Sequence, residues 1–170
     1  MTSDHGFTCS CCGEHHAQLP MGYAATAPYM WNESFADTPD SLLSSDQCVI
    51  REQHYFVKGL IEIPVAGSEE VFSWAVWVSL SRDNFSRAAD LWDSPQREAE
   101  EPYFGWLSTD LALYSPSTVN LKTRVHTRQV GQRPFVELEP TDHPLAVEQH
   151  TGITMDRVRE IAEGVLHPAN

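Results

Sequence analysis

The sequence predicts an α+β fold, an antiparallel sheet with helices set to one side and a metal-stapled N-terminal segment. Three observations predict it. Period-two alternation of apolar residues fills the middle of the chain, helical spacing appears in blocks set apart from those runs, and Cys9, Cys11 and Cys12 crowd into one short stretch. The 170 residues suffice for one domain with a sizeable core and are too few for two ordinary ones. The chain is therefore read as a single domain over 1–170, with an irregular arm over 1–45, a sheet with one inserted helix over 46–140 and C-terminal helices over 141–170.

In the arm, Pro20, Gly22, Pro28 and Pro39 interrupt regular structure, while Tyr23, Tyr29, Met30, Trp31 and Phe35 supply apolar weight. Trp31 and Phe35 are four apart, which suits one short helical turn. So long an irregular segment needs a staple to lie on a core. Strands follow at Gln47–Ile50, Tyr55–Val65 and Val71–Leu80. In the last of these Phe72, Trp74, Val76, Val78 and Leu80 share one face, and Trp77 implies cover on the other. A helix over Arg82–Asp93 starts on Ser81 as N-cap and ends at Ser94-Pro95. The acidic Glu98, Glu100 and Glu101 read as a solvated loop. Tyr103–Leu107, Thr118–Arg128 and Phe135–Glu139 read as strands. One helix begins near His143-Pro144, with Pro at its first position. Another begins after Thr154, with Ile153 and Val158 as a staple and Val158, Ile161, Ala162 and Val165 as its buried stripe.

A formal charge of −13 sets the whole-molecule field against duplex DNA and anionic membranes, so nucleic acid and membrane are not expected partners. It suits a basic protein partner. The first residues lack a basic start and an apolar core, so no signal peptide is expected and the cytoplasm is the expected compartment. Thiols stay reduced there, and cysteines read as metal ligands rather than disulfides.

Cys9-Ser10-Cys11-Cys12-Gly13 spaces two thiols so that a tight turn brings both to one ion, with Gly13 supplying a positive φ. The remaining donors come from among His5, Cys11, His15, His16 and Cys48. The reading favours His16, which folds back from four residues beyond Cys12, and Cys48, which opens a core strand. Cys9, Cys12, His16 and Cys48 would then hold a structural Zn2+ with no open position. A redox pair of Cys9 and Cys12 is disfavoured, because no thioredoxin-like βαβ pattern surrounds it.

No acidic residue occurs between Leu111 and Val136. Within that stretch Asn120, Lys122, Arg124, His126 and Arg128 alternate onto one strand face. The favoured reading is cross-strand pairing with Glu137 and Glu139. The other is an anion site built on Lys122, Arg124, His126 and Arg128. Asp142 and His143 sit at a strand-to-helix junction, where capping is favoured over acid–base catalysis with His126. Trp74, Trp77, Trp92, Tyr103, Phe104 and Trp106 read first as core, with 103–106 as the alternative wall of a pocket.

Cys9–His16, the Ser45–Ile50 run, Tyr55–Gly59, Ile61–Pro64, Trp77–Ser81, Phe104–Leu107, Asn120–Thr123 and Arg133–Gln149 together resemble the bacterial family catalogued as domain of unknown function 2199. The resemblance covers nearly the whole chain. A glycine-glutamate-any-histidine run in that family's pattern points to His16 over His15. Family members often carry cysteine where this chain has Leu60, so any role of that thiol does not transfer. No activity is implied.

Overall fold

The computed structural model describes residues 6–9, 12–16 and 19–167. Its strands are β1 (Phe7–Thr8), β2 (His15–His16), β3 (Gly22–Ala24), β4 (Leu42–Leu43), β5 (Gln47–Ile50), β6 (His54–Pro64), β7 (Val71–Leu80), β8 (Tyr103–Leu107), β9 (Lys122–His126) and β10 (Phe135–Leu138). Its α-helices are α1 (Arg82–Asp90), α2 (Pro144–Thr151) and α3 (Met155–Leu166).

Most pairings in the main sheet are antiparallel, as the sequence suggests, but part of the sheet closes on itself. Strands β6 to β10 pair antiparallel in succession, and β10 then returns to β6 in a parallel register, Phe135 beside Leu60. A five-stranded barrel closes. Strand twist makes such closure possible once two strands are long enough to serve two neighbours each. The first half of β6 pairs with β5, which pairs with β4, while the first half of β7 takes β3 in parallel. Close crossings rely on glycine. A Cβ at Gly59 would lie 2.6 Å from Val136 Cγ2, and one at Gly105 would lie 2.3 Å from Val78 Cγ1.

Inside the barrel, the even positions of β7 from Phe72 to Leu80 meet Ile61, Ile63, Leu107, Val125, Val136 and Leu138. From one end Leu145, Val158 and Ile161 of the C-terminal helices join them. The caps are local. Ser81 accepts from the Asn84 N–H, and Thr154 from the Arg157 N–H, both at 3.1 Å. Val165 is exposed rather than part of the α3 stripe. Helix α1 stops at Asp90, short of the expected Asp93, because residues 91–93 continue only as turn. Strand β9 runs Lys122–His126 rather than Thr118–Arg128: Asn120 takes a φ of 70°, which takes it out of the ribbon, and Arg128 lies just past the strand's end.

Cys48, just beyond the far end of the arm, lies in a cluster separate from Cys9, and the described part of the arm packs closely on the barrel. Its backbone bonds to the barrel through Ala25 N–H to Ala75 O and Tyr29 N–H to Ser108 O, both 2.9 Å. Trp77 projects outward from β7 and donates from Nε1 to the Ala25 carbonyl at 3.0 Å. Around it Cys48, Ile50 and Phe56 are buried under Met30, Trp31, Phe35 and Leu43. Burying each large side chain in such a cluster stabilises by about 1.5–3 kcal/mol, enough in sum to hold the arm down.

Candidate metal centre and outer barrel face

The β1–β2 hairpin places Phe7 opposite His16 and Thr8 opposite His15. Side chains alternate between the faces of a strand, so only one of two adjacent imidazoles can turn inward. His16 does, its ring 5.1 Å from that of Phe7. His15 turns the other way and packs over Gly6, where a Cβ would come within 2.7 Å of its Nε2. Gly13 has a φ of 73°, as the turn between Cys12 and Glu14 requires, and the turn is closed by Gly13 N–H to Cys9 O (2.8 Å) and Cys9 N–H to Glu14 O (2.9 Å).

Phe7 and Cys9 are buried against Ala162 of α3. That contact brings the hairpin to the far end of the same helix, where His167 follows α3 with its N–H on the Glu163 carbonyl at 2.8 Å. The ligand atoms of Cys9, Cys12, His16 and His167 all lie within 4.8 Å of one another, with Cys12 Sγ and His16 Nε2 3.8 Å apart. Two thiols and two imidazoles so arranged can hold a metal ion.

Cys48 is not among them. It is fully buried in the separate apolar cluster with Phe56 and Trp77, and burial pushes its thiol up to about 12. Among the described residues, no imidazole or second thiol shares that cluster with it. Cys11 and His5, the other donors considered, lie outside the described residues. Sequence reasoning missed His167 because no spacing signal links it to residues at the opposite end of the chain. The only local hint is a histidine just past the end of an amphipathic helix.

A sequence profile described as an uncharacterized protein conserved in bacteria, domain of unknown function 2199, matches residues 8–153. The chain belongs to this family. No curated protein and no solved structure matches it. The family match spans Cys9, Cys12 and His16 and ends before His167.

In this family member the basic strand divides into two parts. Arg128 is ion-paired with Glu62 and lies over the Phe135 ring, 5.5 Å from its centroid. His126 meets Glu137 at 3.1 Å and also lies against Phe135. Those two follow the pairing reading, although Glu62 of β6, not Glu139, partners Arg128. Lys122 and Arg124 do not follow it. Arg124 stands opposite Glu137 in register, but that carboxylate turns to His126. Among the described residues, no carboxylate comes within ion-pairing distance of Lys122 or Arg124. They border an open groove of about 450 Å3 with Phe104, Glu137, Glu139 and Pro140.

Phe104 and Trp106 are not core. They are 48% and 41% exposed on the outer face of β8, because Tyr103, Gly105 and Leu107 take the inner one. Trp92 is also partly exposed, with the Arg97 guanidinium over its ring. Glu100, expected to be simply solvated, accepts hydrogen bonds from Arg87 and Tyr103, and the Arg87 guanidinium foremost holds its carboxyl down at about 2.

His143 caps α2. Its Nδ1 accepts from the Leu145 N–H (3.1 Å) and its Nε2 donates to the Pro116 carbonyl (2.8 Å). Both ring nitrogens are thus committed to backbone, while His126 is bound to Glu137. The structure does not join His126, Asp142 and His143 into one acid–base group. Among the described residues, no helix is long and apolar enough to cross a membrane.

Proposed function

We propose that this chain is a single-domain, non-catalytic binding protein whose outer β8–β10 face takes an anionic ligand and whose two ends are clasped by structural zinc. The observation that carries the binding role is that, among the described residues, no carboxylate pairs with Lys122 or Arg124 beside a groove, in a chain of formal charge −13. Buried or partnered cations stabilise a fold; a surplus on a concave surface is available to a ligand. The catalytic alternative, with His126, Asp142 and His143 moving a proton on an anionic substrate, has less support because those imidazoles are already engaged.

Zinc suits the clasp on the chemistry of its donors. Tetrahedral zinc at ordinary bond lengths separates sulfur and nitrogen ligands by about 3.3–3.8 Å, and the Cys12–His16 separation is 3.8 Å. Four protein donors would leave no open position for water or substrate, so the ion would fix structure rather than perform chemistry. The same reading keeps the thiols reduced and the protein in the cytoplasm.

Two measurements test this. Native mass spectrometry should find one zinc per chain, lost in His167→Ala and retained in Cys48→Ala; the reverse pattern would return the clasp to Cys48. Inorganic pyrophosphate titrated into zinc-loaded protein should shift the backbone amide signals of β9, and Lys122→Gln with Arg124→Gln should remove that response. Equal shifts in the double variant would sink the anion site.

A further inference from the structure

Lys122 and Arg124 do not stand alone on the outer face of β8–β10. In register, Trp106 lies beside Lys122 and Phe104 beside Arg124. Both rings are substantially exposed, and they meet edge to face with centroids 5.1 Å apart. Each cation is therefore paired laterally with an aromatic side chain, in two alternate rungs of the same two strands, with Gly105 beside Thr123 between them. The carboxylates of Glu137 and Glu139 complete the groove.

This composition selects among anions. A bare phosphate would meet the two cations but also the two carboxylates, and would leave both rings in water. A purely apolar guest would leave Lys122 and Arg124 unanswered. An extended polyanion would run along a molecule whose overall field repels it. The groove asks for one ligand with a flat π-system to cover the Phe104 ring, one compact anionic group for the cations, and hydroxyl or amino donors for the carboxylates.

We infer that this face binds a free nucleoside phosphate. The base stacks on Phe104, whose ring Trp106 supports edge to face, the phosphate is held by Lys122 and Arg124, and sugar hydroxyls or base amines donate to Glu139 and Glu137. A groove of about 450 Å3 lies within the size range of small-ligand sites. Aromatic stacking tolerates every base, so the face is expected to discriminate weakly among them. The inference rests on the anion-binding reading above and adds the aromatic half of the ligand.

The test uses the full, zinc-loaded chain and isothermal titration with adenosine 5′-monophosphate, adenosine and inorganic phosphate. The monophosphate should bind at least tenfold more tightly than either fragment. Phe104→Ala should weaken it roughly tenfold, the scale of one base–aromatic stack. Lys122→Gln with Arg124→Gln should reduce the monophosphate to the affinity of adenosine while leaving adenosine unchanged. All of these side chains are exposed, so melting temperatures should match the parent and exclude misfolding as the cause. Phosphate binding as tightly as the monophosphate would overturn the nucleotide assignment and leave the anion site standing. No binding by either phosphate or monophosphate would overturn both. A single-stranded oligonucleotide that binds more tightly than the monophosphate, with steep salt dependence, would overturn the assignment to a single nucleotide.

Discussion

Cys9 and Cys48 are buried to the same degree, 1% and 0% exposed, yet they have different neighbours. Cys9 packs with Phe7 and Ala162, and its sulfur lies within 4.8 Å of the donor atoms of Cys12, His16 and His167. Cys48 sits among Ile50, Phe56 and Trp77, where it behaves as a small apolar side chain with its thiol pushed up to about 12. The difference teaches that burial alone does not make a cysteine a ligand. What counts is whether other donors share its pocket, because an ion can replace solvation only where several lone pairs converge.

The largest effect expected from that difference comes from removing metal. Chelation, or Cys9→Ser, should release the clasp and cost on the order of several kcal/mol. The loss should be local: amide exchange should accelerate at Phe7–His16 and along α3, while β6 and β7 keep their protection because the barrel has its own core. Uniform loss of protection across the barrel would show that the two regions are not independent.

Next in size is Cys48→Ser, which places a hydroxyl in an apolar cluster. It should lower stability by about 1–3 kcal/mol in denaturant melts without changing metal content. A third test uses alkali. The folded Cys48 thiol titrates at about 12 against an ordinary 9, so the unfolded chain gives up that proton first. The contribution is therefore fully present below pH 9 and is lost as pH rises toward 12. Melting curves of the parent and Cys48→Ala should run parallel below that window and converge above it. The smallest effect belongs to His15→Ala, which should leave zinc stoichiometry unchanged, since this ring turns away from the donor cluster. Loss of the ion in that variant would reverse the choice between the two adjacent histidines.

How much of this was legible in the residues depended on how local each signal was. The caps at Ser81 and Thr154, the alternation along Val71–Leu80, and the Cys9–Gly13 turn were readable because each is set within one or two turns of chain. Strand β8 was harder. Tyr103 and Leu107 lie on one side and Phe104 and Trp106 on the other, so alternation alone cannot say which pair is buried. The choice falls to Gly105, whose missing Cβ lets β8 press against Val78 and Ser79 and so turns the face carrying it inward. The expectation for Cys48 met a different limit: chemistry identified the kind of atom required, but the donor grouped with Cys9, Cys12 and His16 is His167, far along the chain.

By itself, the sequence determined the identities and order of nearly all the long elements, the knuckle turn, and the existence of an unusually basic stretch in an acidic chain. Those follow from side-chain periodicity, capping and backbone preference, which act over a few residues. Only the tertiary structure decided that the sheet closes through a parallel β10–β6 pair, that His167 meets Cys9, and that no carboxylate among the described residues pairs with Lys122 or Arg124. Each of these is a meeting of distant segments, fixed by how strands twist and helices dock, and distance along the chain carries no record of it.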